Sequence, residues 1–162
     1  MLVLGVDPGL NATGYGLITF QAGRFQLVEG GVIRSRQADP MERRVGDIFS
    51  GILEIIDEFH PDIMAMEEIY SHIKHPKTAV IMAQARGAIL AAASLREVPV
   101  RSYAATMIKM SLTGNGRAAK DQVQRMVFSL LELSAPEKPY DTYDALAAAL
   151  CHINQNLKTV MM

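Results

Sequence analysis

Acidic side chains stand at five places where chemistry could use them. Asp7 ends the short apolar run Leu2-Val3-Leu4-Gly5-Val6 and is followed at once by Pro8-Gly9, which stops a strand. Glu67 and Glu68 end a second apolar run, Ile63 to Met66. Asp141 and Asp144 are three apart, a spacing that sets both on one helix face about one turn apart. Carboxylates delivered by apolar segments are fixed hard-oxygen donors, the kind magnesium prefers. Two such ions about 4 Å apart can activate a water and stabilise the leaving oxygen of a phosphodiester. Each acid also has an ordinary reading. Asp7 could only shape a turn, Glu67 and Glu68 could be a solvated strand end, and Asp141 and Asp144 could complement a helix dipole. Against these, Ala145-Leu146-Ala147-Ala148-Ala149-Leu150 follows the last two acids. A helix so small and apolar must pack closely, which carries its first-turn acids inward.

The elements that must hold these acids are legible in the hydrophobic pattern. Leu2 to Val6 reads as a first strand, and Thr13 to Phe20 and Arg24 to Arg34 as two more, joined by a hairpin at Gln21-Ala22-Gly23. Gly30-Gly31 suggests a bulge or a close backbone approach. Asp39-Pro40 opens a helix, Asp39 as N-cap and Pro40 at the first helical position. Its apolar residues from Val45 to Phe59 recur at three and four, and His60-Pro61 ends it. Ile63 to Met66 is a buried parallel strand. Lys77 to Arg96 is a helix apolar nearly all round, which points to burial by its own sheet and by a second subunit. Val98 to Tyr103 is a strand whose Pro99 favours an edge. Helices follow over Ala104 to Leu112, Ala118 to Leu133 and Tyr140 to Gln155. The expected class is α/β: a mixed five-stranded sheet, three antiparallel strands plus two parallel, flanked by helices. Residues 1–156 form a single domain and 157–162 a tail without pattern.

The 162 residues suit one domain, and 49% hydrophobic with 20% charged residues is a globular composition. The lone cysteine, Cys151, excludes an intrachain disulfide and reads as a small core residue. No basic segment precedes an apolar run at the N-terminus. Ala79 to Ser94, interrupted by Gln84 and Arg86, reads as too short to span a bilayer. No membrane association and a cytoplasmic location are therefore expected. Net charge is only −1, but Tyr70 to Arg125 holds nine Lys/Arg against two acids, +7 there and −8 elsewhere. Such segregation fits a polyanion-facing surface beside an acidic cluster. It makes Lys74, Lys77, Lys109, Arg117 and Lys120 candidates for nucleic-acid contact. His72, His75 and His152 read as loop or helix-surface residues rather than metal ligands.

Taken in order, Gly5-Val6-Asp7-Pro8-Gly9, Thr13-Gly14-Tyr15-Gly16, Met66-Glu67, Gln84-Ala85-Arg86-Gly87 and Asp141-x-x-Asp144-Ala145-Leu146-Ala147 resemble the RuvC family of Holliday junction resolvases over nearly the whole chain. The resemblance implies a ribonuclease H-like fold and a homodimer. It implies two Mg²⁺ ions per site, with Mn²⁺ as substitute, and paired symmetric nicks in a four-way DNA junction that leave 5′-phosphate and 3′-hydroxyl ends. It implies that Asp7, Glu67, Asp141 and Asp144 are the catalytic, metal-binding carboxylates. Alternation along a strand lets only one of Glu67 and Glu68 be a ligand, and the motif match selects Glu67. Tyr70 matches an aromatic beside the catalytic glutamate that could wedge between bases. Lys109 and Lys120 match phosphate-facing basic positions. Asn11 stands where some relatives carry a basic residue. A branch-migration motor complex is a further implied partner. Ala83, Gly87, Ala88 and Ala91 are the expected dimer contacts on the all-apolar helix.

Two other readings share the pattern. A non-catalytic junction-binding protein of the same fold has no use for four carboxylates beside a polyanion, whose repulsion a metal must neutralise. An actin-like nucleotide-binding domain also begins with a strand, an Asp and a glycine turn, but needs a second lobe for which 162 residues leave little room.

Overall fold

The structure is a computed structural model and describes residues 1–69, 76–133 and 140–160. The elements are β1 (Leu2–Asp7), β2 (Ala12–Gln21), β3 (Arg24–Arg34), α1 (Met41–Phe59), β4 (Ile63–Glu67), α2 (Pro76–Leu95), β5 (Val100–Tyr103), α3 (Ala105–Thr113), α4 (Lys120–Leu130) and α5 (Tyr140–Val160). They form one five-stranded sheet in the order β3-β2-β1-β4-β5. The first three strands pair antiparallel, and β4 and β5 are added parallel. This is the expected mixed sheet, with Pro99 just ahead of the edge strand β5.

Local chemistry explains most boundaries. The hairpin turn is the dipeptide Ala22-Gly23, with φ of 50° and 79°, the left-handed geometry that matches strand twist. The sheet does contain a bulge, but not at the paired glycines. Leu17 faces Glu29 and Ile18 faces Leu27, so Val28 is the extra residue. Gly30 and Gly31 answer to close approach instead: a Cβ on Gly30 would lie 3.0 Å from Thr142 Cγ2, and one on Gly31 2.9 Å from the Tyr15 hydroxyl. Pro40, not Asp39, is the N-cap of α1, and no side chain caps that end. Helix α5 runs on to Val160, so the segment expected to be a patternless tail begins helical.

Alternation along the strands sorts the sheet's two faces. Val3, Ile18 and Ala65 pack with α5, α3 and α4, whereas Leu4, Val6, Leu17, Met64 and Met66 pack with α1 and α2. Helix α5 lies almost on the backbone of β1 and β2. A Cβ on Gly5 would meet the Ala145 carbonyl at 1.9 Å, and one on Gly16 would meet Leu146 Cδ2 at 2.3 Å. The small residues at the strand centre therefore exist to admit the helix.

Helix α2 corrects an expectation. By length and composition Lys77–Leu95 is apolar enough to cross a membrane. In the fold, Ala85, Ala88, Ile89, Ala92 and Ala93 are buried, the last four against the sheet and α1. Its outer side leaves Val80 and Leu95 more than half exposed, at 59% and 58%.

Candidate active site

The period of two along a strand places the acids. Val3 faces α5, so Asp7, four residues on, faces α5 as well. Ala65 also faces α5, so Glu67 does too, while Glu68, one residue past β4, borders the same cleft near α2. There Glu68 acts on the Arg86 guanidinium, whose own acidity is raised chiefly by burial. Strands β1 and β4 are adjacent and parallel, with Val6 opposite Met66. Asp7 and Glu67 therefore emerge side by side from the same end of the sheet.

Helix α5 supplies the other two acids. Gly14 pairs with Asp7 across β1–β2, and a Cβ on Gly14 would lie 2.0 Å from the Asp141 carbonyl. The Thr142 hydroxyl, fully buried, donates to the Gly31 carbonyl at 3.0 Å and pins the first turn of α5 to β3. One turn on, Asp144 accepts a hydrogen bond from Lys120 Nζ at 2.7 Å. Lys120 begins α4, so this ion pair ties α4 to α5 at the mouth of the site.

A cleft of about 350 Å³ results. Asp7, Glu67, Glu68 and Asp144 line it together with Lys109 and Lys120, over an apolar floor that includes Met82, Ile108 and Val123. Asp141 is not part of its wall, but its charge reaches Asp7. Burial, then repulsion from Asp144, Asp141 and Glu67, pushes Asp7 up to about 7, with Lys120 pulling the other way. Burial and Asp144 raise Glu67, opposed by Lys109 and Lys120. Lys120 is held more firmly protonated by its hydrogen bond to Asp144 and by the charges of Asp144, Asp7 and Asp141.

Asp7 and Glu67, which resist ionising, form with Asp141 and Asp144 a hard-oxygen donor set suited to divalent cations. Among the described residues no three acidic, histidine or cysteine side chains close into a ready ligand cage. The set thus fits an ion that takes one or two carboxylates and completes its sphere with water and phosphate oxygens, the habit of magnesium.

The other expected residues divide. Lys77 and Arg117 are exposed, Lys77 on the first turn of α2 and Arg117 in the α3–α4 loop, where its backbone N–H donates to Asn115 Oδ1 at 2.9 Å. Tyr70, Lys74, His72 and His75 lie outside the described residues. Ala83, Gly87 and Ala91 face outward on α2, and a Cβ on Gly87 would meet nothing within 4 Å. Ala88 is a correction: it is buried in the chain's own core, 100° round the helix from Gly87, and offers no surface to a second subunit. His152 is another. It is not on a helix surface but buried, with Nδ1 hydrogen-bonded to the Tyr103 hydroxyl at 2.6 Å and Nε2 to Asn156 Nδ2 at 2.8 Å. Cys151 is buried in the core as expected.

The separate acids left one organising residue unremarked. Arg86 Nη1 donates to the Glu67 carbonyl at 2.8 Å and Nη2 to Ser102 Oγ at 2.6 Å, so α2 fixes the end of β4 and joins it to β5. Its signal in the sequence was its place in Gln84-Ala85-Arg86-Gly87, an arginine among small residues on an apolar helix.

A ribonuclease H-like sheet that gathers carboxylates at the ends of β1 and β4 and the start of α5, with lysines beside them, defines a nuclease. A family model described as crossover junction endodeoxyribonuclease RuvC matches residues 3–152. The chain belongs to that family. It is 44% identical over 149 residues to a RuvC crossover junction endodeoxyribonuclease of Rhodopirellula baltica, covering 92% of this chain and 84% of that one. It is 43% identical over 152 residues to the one of Moorella thermoacetica, covering 94% and 90%. The structure of Thermus thermophilus RuvC in complex with a Holliday junction substrate superposes with a TM-score of 0.92 at 34% identity, over 98% of this chain and 96% of that one.

Proposed function

We propose that this chain resolves four-way DNA junctions by hydrolysing a phosphodiester in each of two symmetry-related strands, leaving 5′-phosphate and 3′-hydroxyl ends. It is an endodeoxyribonuclease by family, and the family is metal-dependent. The observation that carries the reading is the cleft itself: Asp7, Glu67 and Asp144 beside Lys109 and Lys120, with Asp141 close enough to act on Asp7. The relative solved with a Holliday junction has the same fold over nearly its whole length.

Two Mg²⁺ ions, for which Mn²⁺ can substitute, would be held by Asp7 with Glu67, Asp141 and Asp144. When bound, they supply an activated water and neutralise charge on the leaving oxygen. The protein's own contributions are then distinct. Asp7 and Glu67, set side by side by adjacent parallel strands, hold the donor oxygens without conformational search. Lys120 keeps Asp144 oriented through its hydrogen bond. Lys109 and Lys120 draw the phosphate over the acids and offset the charge that builds on it. Lys77 and Arg117, and Lys74 and Tyr70 beyond the described residues, extend the contact along the DNA arms.

Paired cuts need paired sites, and the exposed apolar side of α2 supports a homodimer through Ala83, Gly87 and Ala91. Residues 1–156 act as one nuclease domain, in the cytoplasm, in concert with a branch-migration motor. The test is a synthetic mobile junction with and without Mg²⁺, beside a linear duplex of the same sequence. Symmetric nicks in the junction alone are expected. Equal cutting of the duplex, or junction binding with no cleavage across Mg²⁺ and Mn²⁺ titrations, would overturn the reading.

A further inference from the structure

Arg44, on the first turns of α1, is a buried cation that the nuclease reading does not use. It is only 9% exposed. Its Nε donates to Ser35 Oγ at 3.1 Å, and its Nη2 donates to Asn11 Oδ1. Among the described residues it forms no ion pair. A cation taken out of water without a counter-charge is unfavourable, and a leucine or methionine would pack α1 at no such penalty. What Arg44 does instead is join groups.

Every one of those groups belongs to the turn that leaves Asp7 or to the strand end beside it. Asn11 is in the turn. Ser35 Oγ passes the hydrogen bond on to the Leu10 carbonyl at 2.5 Å, and the Ser35 N–H donates to the Asn11 carbonyl at 3.3 Å. From the other side, the hydroxyl of fully buried Thr13 donates to the Gly9 carbonyl at 2.7 Å. The turn from Pro8 to Ala12 is thus held from within by Thr13 and from outside by Arg44. Helix α1 is itself rooted in the core through Ile48 and Ile52, both fully buried. A planar guanidinium suits this task because it can bridge two acceptors at once in a fixed geometry, which an ammonium cannot.

We infer that Arg44 is a positioning residue, fixing the turn after Asp7 through Asn11 and Ser35 so that the Asp7 carboxylate is presented to metal in one place. The inference rests on the nuclease reading, in which Asp7 is a ligand. Misplacing a reacting group by about 1 Å can lower a rate about 10²-fold. The effect therefore falls on metal capture and turnover rather than on DNA binding.

The test compares Arg44→Met, Arg44→Lys and Asn11→Ala with the unaltered protein and with Asp7→Asn. Three quantities are read: the Mn²⁺ concentration that gives half the metal-induced rise in melting temperature, junction Kd in EDTA, and kcat with KM in Mg²⁺. For Arg44→Met the expected result is a Mn²⁺ midpoint raised about 5- to 10-fold and kcat lowered about 10- to 100-fold, with KM and Kd within about 2-fold. Arg44→Lys keeps the charge but loses the fork, and stays defective. Asn11→Ala changes an exposed side chain, so it tests the clamp even if Arg44→Met does not fold, and it moves the Mn²⁺ midpoint the same way by a smaller factor. An unmoved Mn²⁺ midpoint in Asn11→Ala and Arg44→Met, full recovery with lysine, or a loss of junction affinity in EDTA matching the loss of rate would each overturn the inference. Asp7→Asn separates the two levels. If it abolishes the metal response while the clamp variants respond at the midpoint of the unaltered protein, only the role of Arg44 fails. If Asp7→Asn keeps the response, the metal site itself is wrongly assigned.

Discussion

At the scale of residues, the chemistry rests on carboxylates held where they resist charging. Asp7 ionises at about 7 in the folded chain against 3.8 when free, because burial and three acidic neighbours oppose its charge. Between those values the folded state keeps a proton that the unfolded chain has lost. Without metal, stability therefore falls as pH rises from about 4 to about 7 and levels off above. Metal capture, which needs the ionised form, strengthens over the same interval. Asp7→Asn removes the penalty. Urea unfolding should find it about 1–3 kcal/mol more stable than the unaltered chain at pH 8 and no more stable at pH 4, with junction cleavage lowered by at least about 10³-fold. A stability gain equal at both pH values would rule out ionisation as the cause. Lys120 works by contact: its ammonium holds Asp144 at 2.7 Å and lines the cleft beside the acids. Lys120→Met should lower the single-turnover rate about 10- to 100-fold, measured at saturating junction, through lost charge stabilisation. A change confined to junction affinity would reduce Lys120 to a docking residue.

At the scale of elements, the site exists because α5 touches the backbone of β1 and β2. Gly14 is where that contact meets the chemistry, since a Cβ there would fall 2.0 Å from the Asp141 carbonyl and 3.0 Å from Asp141 Cβ. Gly14→Ala must push the first turn of α5 outward. The expected outcome is a loss of about 2–4 kcal/mol in denaturant unfolding and a fall in cleavage beyond what the unfolded fraction explains. Full specific activity in the folded fraction would show that Asp141 can move without consequence. Arg86 plays the matching part for β4, bracing the Glu67 carbonyl and Ser102 from α2. The acids thus come from three elements, each braced by a contact with another part of the fold.

At the scale of the whole molecule, α2 shows two unlike sides. Its inner side is core, and its outer side leaves Val80, Ile81, Leu90 and Leu95 exposed around Gly87. On the dimer reading, Leu90→Asp places a charge in the interface. Analytical ultracentrifugation should find a monomer, and junction assays should show single unpaired nicks. If the unaltered chain sediments as a monomer at high concentration, paired cutting through α2 loses its basis.

The hydrophobic periods made the order of strands and helices legible, because a buried face must repeat at two or at 3.6 residues. The acids at apolar segment ends were visible for the same reason, and the ordered motifs carried the family. Alternation and the motif match pointed to Glu67 over Glu68; the packing of Ala65 on α5 puts Glu67 on the side of Asp7, while Glu68 still borders the cleft, which no local pattern foretold. The paired glycines in β3 betrayed a close approach but not its cause, since Thr142 and Tyr15 are distant in the chain or on another strand. Ala88 and His152 were misplaced because an apolar helix and a lone histidine carry no mark of which neighbours cover them. Arg44 carried no signal in the sequence, and Arg86 only its place in a motif, for a related reason. Their partners, Asn11 and Ser35 for one and the Glu67 carbonyl and Ser102 for the other, are brought within hydrogen-bond distance only by the completed fold. Sequence by itself determined which groups could do the chemistry; tertiary structure alone decided which of them meet, because meeting is set by long-range packing that no local pattern records.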